Sequence, residues 1–194
     1  MSRTERLIRS TLPPAARYHM HMRGLLCLSV LMAGSVPFAQ ATDLASQPYH
    51  LRFFHTHTGE HLDVVYRIGD RYIPEALDRL DHFLRDHRTG DVHHYDPRLF
   101  DLLNDLTASV GRAGAELNVI CGYRTPWSNQ FLRTHTAGVA LHSLHMEAEA
   151  IDIRLPGFQT SALRDAALEL HRGGVGYYAK SDFIHVDVGR VRRW

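Results

Sequence analysis

Apolar positions along the chain fall into two periods, two residues and close to four, and their order sketches the fold. From Leu51 to Tyr66 the pattern reads as a pair of strands around the turn His57-Thr58-Gly59-Glu60, with alternation clearest in Leu62-Asp63-Val64-Val65-Tyr66. Pro74 suits a first helical turn, and Leu77, Leu80, Phe83 and Leu84 then recur at helical spacing. Thr89-Gly90-Asp91 is a turn. A second helix follows Asp96-Pro97 and carries Leu99, Leu102, Leu103, Leu106 and Val110. Leu117 to Ile120 reads as a strand feeding Gly122-Tyr123-Arg124. The polar stretch from Pro126 to Leu144 is long for a loop, which suggests a short helix plus a loop over a site. Ser161 to His171 is a further amphipathic helix, closed by Gly173-Gly174. Two late strands remain. In Ala150 to Leu155 the apolar Ile151, Ile153 and Leu155 oppose Asp152. In Phe183 to Val188 the apolar Ile184, Val186 and Val188 oppose His185 and Asp187. Helices first and strands later predict an α+β fold: a small, mostly antiparallel sheet packed by about three helices.

The late strands change the picture from fold to chemistry. Each buries aliphatic residues on one face and presents an acid or an imidazole on the other, which burial alone does not require. With His145 just upstream, Asp152 and His185 complete a set of two imidazoles and one carboxylate. Such a set leaves a tetrahedral zinc ion one open position, the composition of a hydrolytic rather than a structural site. Other histidines compete for attention. His55, His57 and His61 form a second cluster that reads better as a structural turn, and His142 is an alternative ligand if its stretch is helical.

These residues also carry a resemblance. Ser143-Leu144-His145-Met146-Glu147-Ala148-Glu149-Ala150-Ile151-Asp152 resembles the Ser-x-His-x-x-Gly-x-Ala-x-Asp signature of D-alanyl-D-alanine-type (LAS) zinc metallopeptidases. Asp182-x-x-His185 resembles their acid-x-x-His element, and Cys121-Gly122-Tyr123-Arg124 their Ser-Gly-Tyr-Arg. His57-Thr58-Gly59-Glu60, Gly173 to Tyr178 and the terminal Arg193-Trp194 are similar to the YcbK/MepK-like branch of murein endopeptidases. The resemblance implies a LAS/hedgehog-like peptidase fold holding one Zn2+ per chain on His145, Asp152 and His185. It implies Asp182 as the proton acceptor and Arg124 as the group that polarises the scissile carbonyl. Asp187 is the competing base, or else an acceptor that holds a ligand imidazole. Tyr177, Tyr178 and Trp127 are candidate cleft walls. Two departures stand out: Ala148 where the family has glycine, and Cys121 where it has serine.

Composition sets the compartment and the partners. Residues 1–41 read as an N-terminal extension and secretory signal, with Arg23, an apolar run from Leu25 to Val36, and Ala39-Gln40-Ala41 as the cleavage site. The apolar run is too short to span a bilayer comfortably, so no permanent membrane anchor is expected. Residues 42–194 form the zinc peptidase domain, enough chain for one core. They keep 17 basic and 20 acidic residues, a net charge of −3, and no basic stripe that would suit nucleic acid. Cys121 is the one cysteine left, so no internal disulfide is available. The expectation is a periplasmic murein endopeptidase acting on stem-peptide cross-links. A carboxypeptidase or dipeptidase trimming stem peptides, or a zinc-stabilised murein-binding module without activity, are the rival readings. The sequence leaves the cross-link type and any adaptor protein open.

Overall fold

Eight strands and four helices build an α+β domain in the computed structural model, which describes residues 47–136 and 138–194. The expected leader over 1–41 lies outside the described residues. Among those residues no helix is long and apolar enough to cross a membrane.

The chain opens on a hairpin, β1 (Pro48–His55) and β2 (His61–Ile68), extended by β3 (Arg71–Tyr72). Leu51 and Phe53 on β1 and Val64 and Tyr66 on β2 bury their side chains, which is the period-two pattern read from sequence. Helix α1 (Pro74–Phe83) packs on β2, and α2 (Pro97–Ser109) packs on β1. Both start with proline at the first turn, where its missing N–H costs nothing, and Asp96 caps α2 by accepting from the Arg98 amide. Then come β4 (Glu116–Cys121), α3 (Pro126–His135), a short 3-10 helix (Leu144–Glu147) and β5 (Ala150–Arg154). α4 (Thr160–Glu169), β6 (Gly174–Tyr178), β7 (Phe183–Asp187) and β8 (Arg192–Arg193) complete the chain. One mixed sheet results, in the order β3-β2-β1-β4-β5-β7-β6-β8, antiparallel except at β1·β4 and β6·β8.

The core lies on the helix side of this sheet. Leu80 of α1, Leu84 at its C-cap, and Leu99, Leu103 and Leu106 of α2 meet Phe53, Leu117, Ile151, Ile153, Ile184 and Val186 from the strands. Each fully buried aliphatic of this kind contributes about 1.5–3 kcal/mol. Ile151 and Ile153 point into the core, so Asp152 must point out of it; likewise Ile184 and Val186 force His185 to the other face. Asp152 and His185 are direct cross-strand partners, so sheet register alone brings their side chains together. A β-bulge between Val119 and Cys121 adds a third member. Val119 faces the core opposite Ile153, but beyond the bulge Cys121 pairs with Asp152 and turns to the outer face.

Candidate functional site

The outer face gathers its chemistry at the bulged end of β4. Here the chain passes through Gly122, where any Cβ would sit against the Leu84 carbonyl oxygen at 2.5 Å. Glycine therefore lets the loop press onto α1, and the neighbouring Tyr123 amide donates to that same carbonyl at 2.8 Å. The loop is held from three more directions. The buried Asp86 carboxylate accepts from the Thr125 amide and hydroxyl, both at 2.8 Å. Burial opposes ionisation of Asp86, but these hydrogen bonds, with Ser128, outweigh it and hold its carboxyl below the usual range. The Arg124 amide donates to the His145 carbonyl at 3.0 Å, and Thr125 caps α3 through the Ser128 amide at 3.1 Å.

The 3-10 helix that presents His145 is capped by Ser143, and it ends at Ala148 with φ 54° and ψ 36°. That left-handed conformation is the one the family's glycine suits; an alanine tolerates it at a cost of about 1–2 kcal/mol. Because the short helix starts only at Leu144, His142 stays exposed at the cleft while His145 is fully buried.

Three donor atoms converge: His145 Nε2 lies 3.2 Å from Asp152 Oδ1 and 3.1 Å from His185 Nδ1, and His185 Nδ1 lies 2.9 Å from Asp152 Oδ1. Ligands about 2.0–2.1 Å from a tetrahedral zinc are spaced by about 3.3 Å, so this triangle fits the ion. The tautomers agree. His145 Nδ1–H donates to the Gly122 carbonyl at 2.8 Å, and His185 Nε2–H donates to Asp187 Oδ2 at 3.0 Å. Each ring therefore turns a lone pair, not a proton, toward the shared point. Cys121 Sγ is also within 4.8 Å of the His145 and Asp152 donors, which makes it a further potential ligand. Burial pushes its thiol up to about 12, so it stays protonated unless a cation draws the proton off.

The electrostatics follow from burial and pairing. Desolvation lowers the His145 pKa against the pull of Asp152. At Asp152 desolvation works the other way, but the two imidazoles override it and hold the carboxyl well below the ordinary range. Burial would lower His185 too, yet hydrogen bonds to Asp152 and Asp187 raise it. A cation at the shared point replaces these proton-sharing contacts and favours the neutral rings.

Asp187 is fully buried and saturated. Oδ2 accepts from His185 and from Arg192 Nη2 at 2.7 Å; Oδ1 accepts from the Gly174 and Gly189 amides, each at 2.9 Å, and from Arg192 Nη1 at 3.0 Å. It orients a ring and has no free oxygen for a substrate proton. Arg192, its guanidinium partner, escaped the sequence reading. Nothing in the local pattern distinguishes it from its neighbours Arg190 and Arg193.

A cleft of about 430 Å3 opens over the three donors, bordered by His57, His87, Arg124, His142, Tyr178 and Trp194. Arg124 is nine-tenths buried. One guanidinium nitrogen reaches Asn129 Oδ1 at 3.3 Å, its Nε–H has no partner, and no carboxylate pairs with it among the described residues. The Nε–H is itself buried, so the cleft-lining end of the guanidinium, with no carboxylate to neutralise it, is the part that suits a developing oxyanion. The terminal Trp194 ring packs 5.1 Å from the His185 ring and donates Nε1–H to the Tyr178 hydroxyl at 3.0 Å. A Cβ at Gly176 would collide with that indole, so glycine there makes the wall possible. His57 and His87 stack at 4.2 Å, which places the first histidine turn at the same cleft although its sequence is remote.

Three expected positions differ. Asp182 has φ 54°, and its carboxylate is turned to the Thr160 hydroxyl and to Arg154 Nε (3.1 Å), so it does not line the cleft although Ser181 and Phe183 do. Tyr177 alternates away from Tyr178 on β6 and lies under the Arg164 guanidinium, 4.5 Å from its ring centre. Trp127 points outward from α3, whose inward positions are Ser128 and Asn129.

Comparison with known proteins shows the family. A family described as peptidoglycan L,D-endopeptidase MepK, of the M15 peptidases, matches residues 43–194. The chain is 40% identical over 148 residues to a probable peptidoglycan L,D-endopeptidase MepK of Haemophilus influenzae, covering 76% of this chain and 80% of that one. It is 36% identical over 181 residues to the peptidoglycan L,D-endopeptidase MepK of Escherichia coli K12, covering 92% and 99%. The match over residues 43–194 and the identity to these two relatives show that the chain belongs to the MepK family of peptidoglycan L,D-endopeptidases, within the M15 metallopeptidases.

Proposed function

We propose that this protein is an exported, zinc-dependent endopeptidase that hydrolyses L,D peptide cross-links of peptidoglycan, with residues 1–41 directing it to the periplasm and removed there. The observation that carries the zinc assignment is the triangle of His145, Asp152 and His185 donors at 2.9–3.2 Å, with both imidazole tautomers set by acceptors behind them. Zinc bound by that set supplies Lewis acidity toward water and toward the scissile carbonyl.

The chain's own residues do the rest. Arg124 donates from the cleft-lining end of its guanidinium, the part not engaged by Asn129, to the carbonyl oxygen as negative charge develops there, and its burial limits competition from water. Asp187 fixes the His185 ring, and Gly122 fixes His145, so neither ligand reorganises during turnover. Asp182 serves as proton acceptor by releasing both the Thr160 hydroxyl and its exposed pairing with Arg154, the latter a contact of a class worth about 1 kcal/mol or less, and moving toward the cleft. Trp194 and Tyr178 wall the substrate's path beside His185.

An endopeptidase is favoured over a carboxypeptidase because Arg124, engaged at the carbonyl, leaves Arg88 and Arg192 as the remaining cleft arginines, and Arg192 is spent on Asp187. Arg88 is then the one cleft arginine left for a terminal carboxylate among the described residues, with no second cation paired to it. The test is a time course on purified cross-linked muropeptide dimers and pentapeptide monomers at equal concentration, with mass-resolved products. Dimers are expected to be split to monomers faster than terminal D-alanine is released; the reverse order rejects the proposal in favour of a carboxypeptidase. Product formation unaffected by a chelator rejects the zinc assignment.

A further inference from the structure

Helix α3 carries a feature that the hydrolytic site does not use. Trp127, Phe131 and His135 follow one another at four-residue intervals, so they form a single ridge about 12 Å long on the helix surface. Their rings run nearly parallel: Trp127 and Phe131 lie 5.6 Å apart at 16°, and Phe131 and His135 lie 4.2 Å apart at 25°. The ridge faces outward, with Trp127 61% exposed and Phe131 41% exposed. Single exposed apolar side chains are ordinary, but a contiguous aromatic row on a helix capped at its start marks a contact surface. Phe131 braces the indole from one side, so Trp127 is held in place before any ligand arrives and loses little freedom on binding.

The helix's other side argues for the occupant. Leu132 and Thr136 on α3 line the cleft, roughly a quarter turn from Phe131, so ridge and cleft are adjoining surfaces of one element. A helix with its side chains is about 10 Å across, and three extended peptide residues span about the same distance. A stem peptide attached to a sugar on the ridge therefore reaches the donor triangle within its first few residues. Phe131 has its faces covered by Trp127 and His135, so the apolar C–H face of a pyranose stacks on the free outer face of the Trp127 indole. Gln130 and Arg133, exposed beside the ridge and hydrogen-bonded to each other at 3.0 Å, offer their remaining donors and acceptors to acetamido and hydroxyl groups. We propose that the Trp127–Phe131–His135 ridge of α3 is a glycan-binding platform that docks the N-acetylhexosamine strand of peptidoglycan while the attached peptide enters the cleft. This rests on the endopeptidase reading for its substrate, and the ridge can be tested apart from it.

The experiment compares the metal-loaded protein with its Trp127→Ala/Phe131→Ala double variant on two substrates: intact sacculi, and cross-linked peptide dimers freed of glycan. A second arm titrates a tetramer of N-acetylglucosamine into both proteins and follows binding by calorimetry. The expected result is a rise of about tenfold or more in KM on sacculi, unchanged kcat and KM on glycan-free dimers, and loss of tetramer binding. Because both side chains are exposed, the variant should keep its far-ultraviolet circular dichroism; a Trp127→Phe variant should retain most of the affinity and controls for folding. Equal losses on both substrates, no loss on either, or no tetramer binding by the wild type overturns the platform. So does ring-dependent binding to phospholipid vesicles in place of glycan, or ring-dependent self-association by sedimentation. If the wild type cleaves neither substrate yet binds the tetramer through these rings, the platform stands and the endopeptidase reading falls.

Discussion

Replacing Asp187 by asparagine removes one charge and almost no volume, and the structure sets the size of the effect. Five donors converge on this carboxylate: His185 Nε2 and Arg192 Nη2 on one oxygen, the Gly174 and Gly189 amides and Arg192 Nη1 on the other. An amide has only one oxygen, so either orientation sets its NH2 against at least two donors. Breaking one side of a buried ion pair costs about 3–5 kcal/mol; Arg192 keeps 30% of its side chain in solvent, which screens the loss to about 2–3 kcal/mol. The His185 ring also loses the acceptor that fixes its tautomer, which should weaken zinc binding by about 10–100-fold. Urea denaturation of the metal-free protein reads the first quantity, and competition with a chromophoric chelator reads the second. The pH dependence has a definite sign. Burial alone would raise the Asp187 carboxyl, but His185 and Arg192 hold it well below the ordinary range. A depressed folded value means that the stabilisation is fully present above the unfolded value near 3.9 and drains away as pH falls through it. The stability gap between wild type and variant should therefore narrow below about pH 4. Stabilities within 0.5 kcal/mol of each other at pH 7, together with unchanged zinc affinity, would refute the role assigned to Asp187.

Other outcomes follow from the same geometry. Arg124→Gln should lower kcat by about 10²–10³ with zinc content unchanged, and a rise in KM alone would show that Arg124 acts only in ground-state binding. Asp182→Asn should retain zinc and lose about 10²-fold or more in turnover; unaltered turnover would confine Asp182 to its contacts with Thr160 and Arg154. Burial pushes His55 and His87 down to about 4, and both are therefore neutral in the folded protein at pH 7. Their lowered values make the stability they support complete above pH 6.5 and progressively lost between 6.5 and 4. His55→Gln should flatten that limb in a pH series of denaturation midpoints, and an unchanged slope would contradict it.

Much of this architecture is legible in the sequence because register and alternation are local. Ile151, Ile153, Ile184 and Val186 fix one face of two strands, and that fixes Asp152 and His185 on the other without knowledge of the rest. Helices α1 and α2 announce themselves through proline starts and helical spacing of leucines, and α4 through its amphipathic pattern alone. The Pro126–Leu144 stretch resolves into α3 followed by a loop to the capped 3-10 helix, as its length suggested. What stays hidden is non-local. The bulge that turns Cys121 outward depends on pairing between β4 and β5, and the Arg192 clamp depends on β8 returning beside β6. Strand β6 is masked by Gly174 and Gly176, which read as breakers but leave room for Arg192 and Trp194. Asp182 lies off the cleft in this structure for a local reason of another kind: it precedes β7 with a left-handed backbone, and its carboxylate is held by Thr160 and Arg154.

The central claim is that two imidazoles and one carboxylate from this chain hold zinc, and X-ray absorption at the zinc edge of the loaded protein tests it most directly. The account predicts about one zinc per chain with only nitrogen and oxygen neighbours at about 2.0–2.2 Å, two of them imidazoles, and loss of the bound metal in His145→Ala and His185→Ala. A sulfur neighbour at about 2.3 Å would instead place Cys121 in the coordination shell, and full zinc content in both alanine variants would contradict the site altogether.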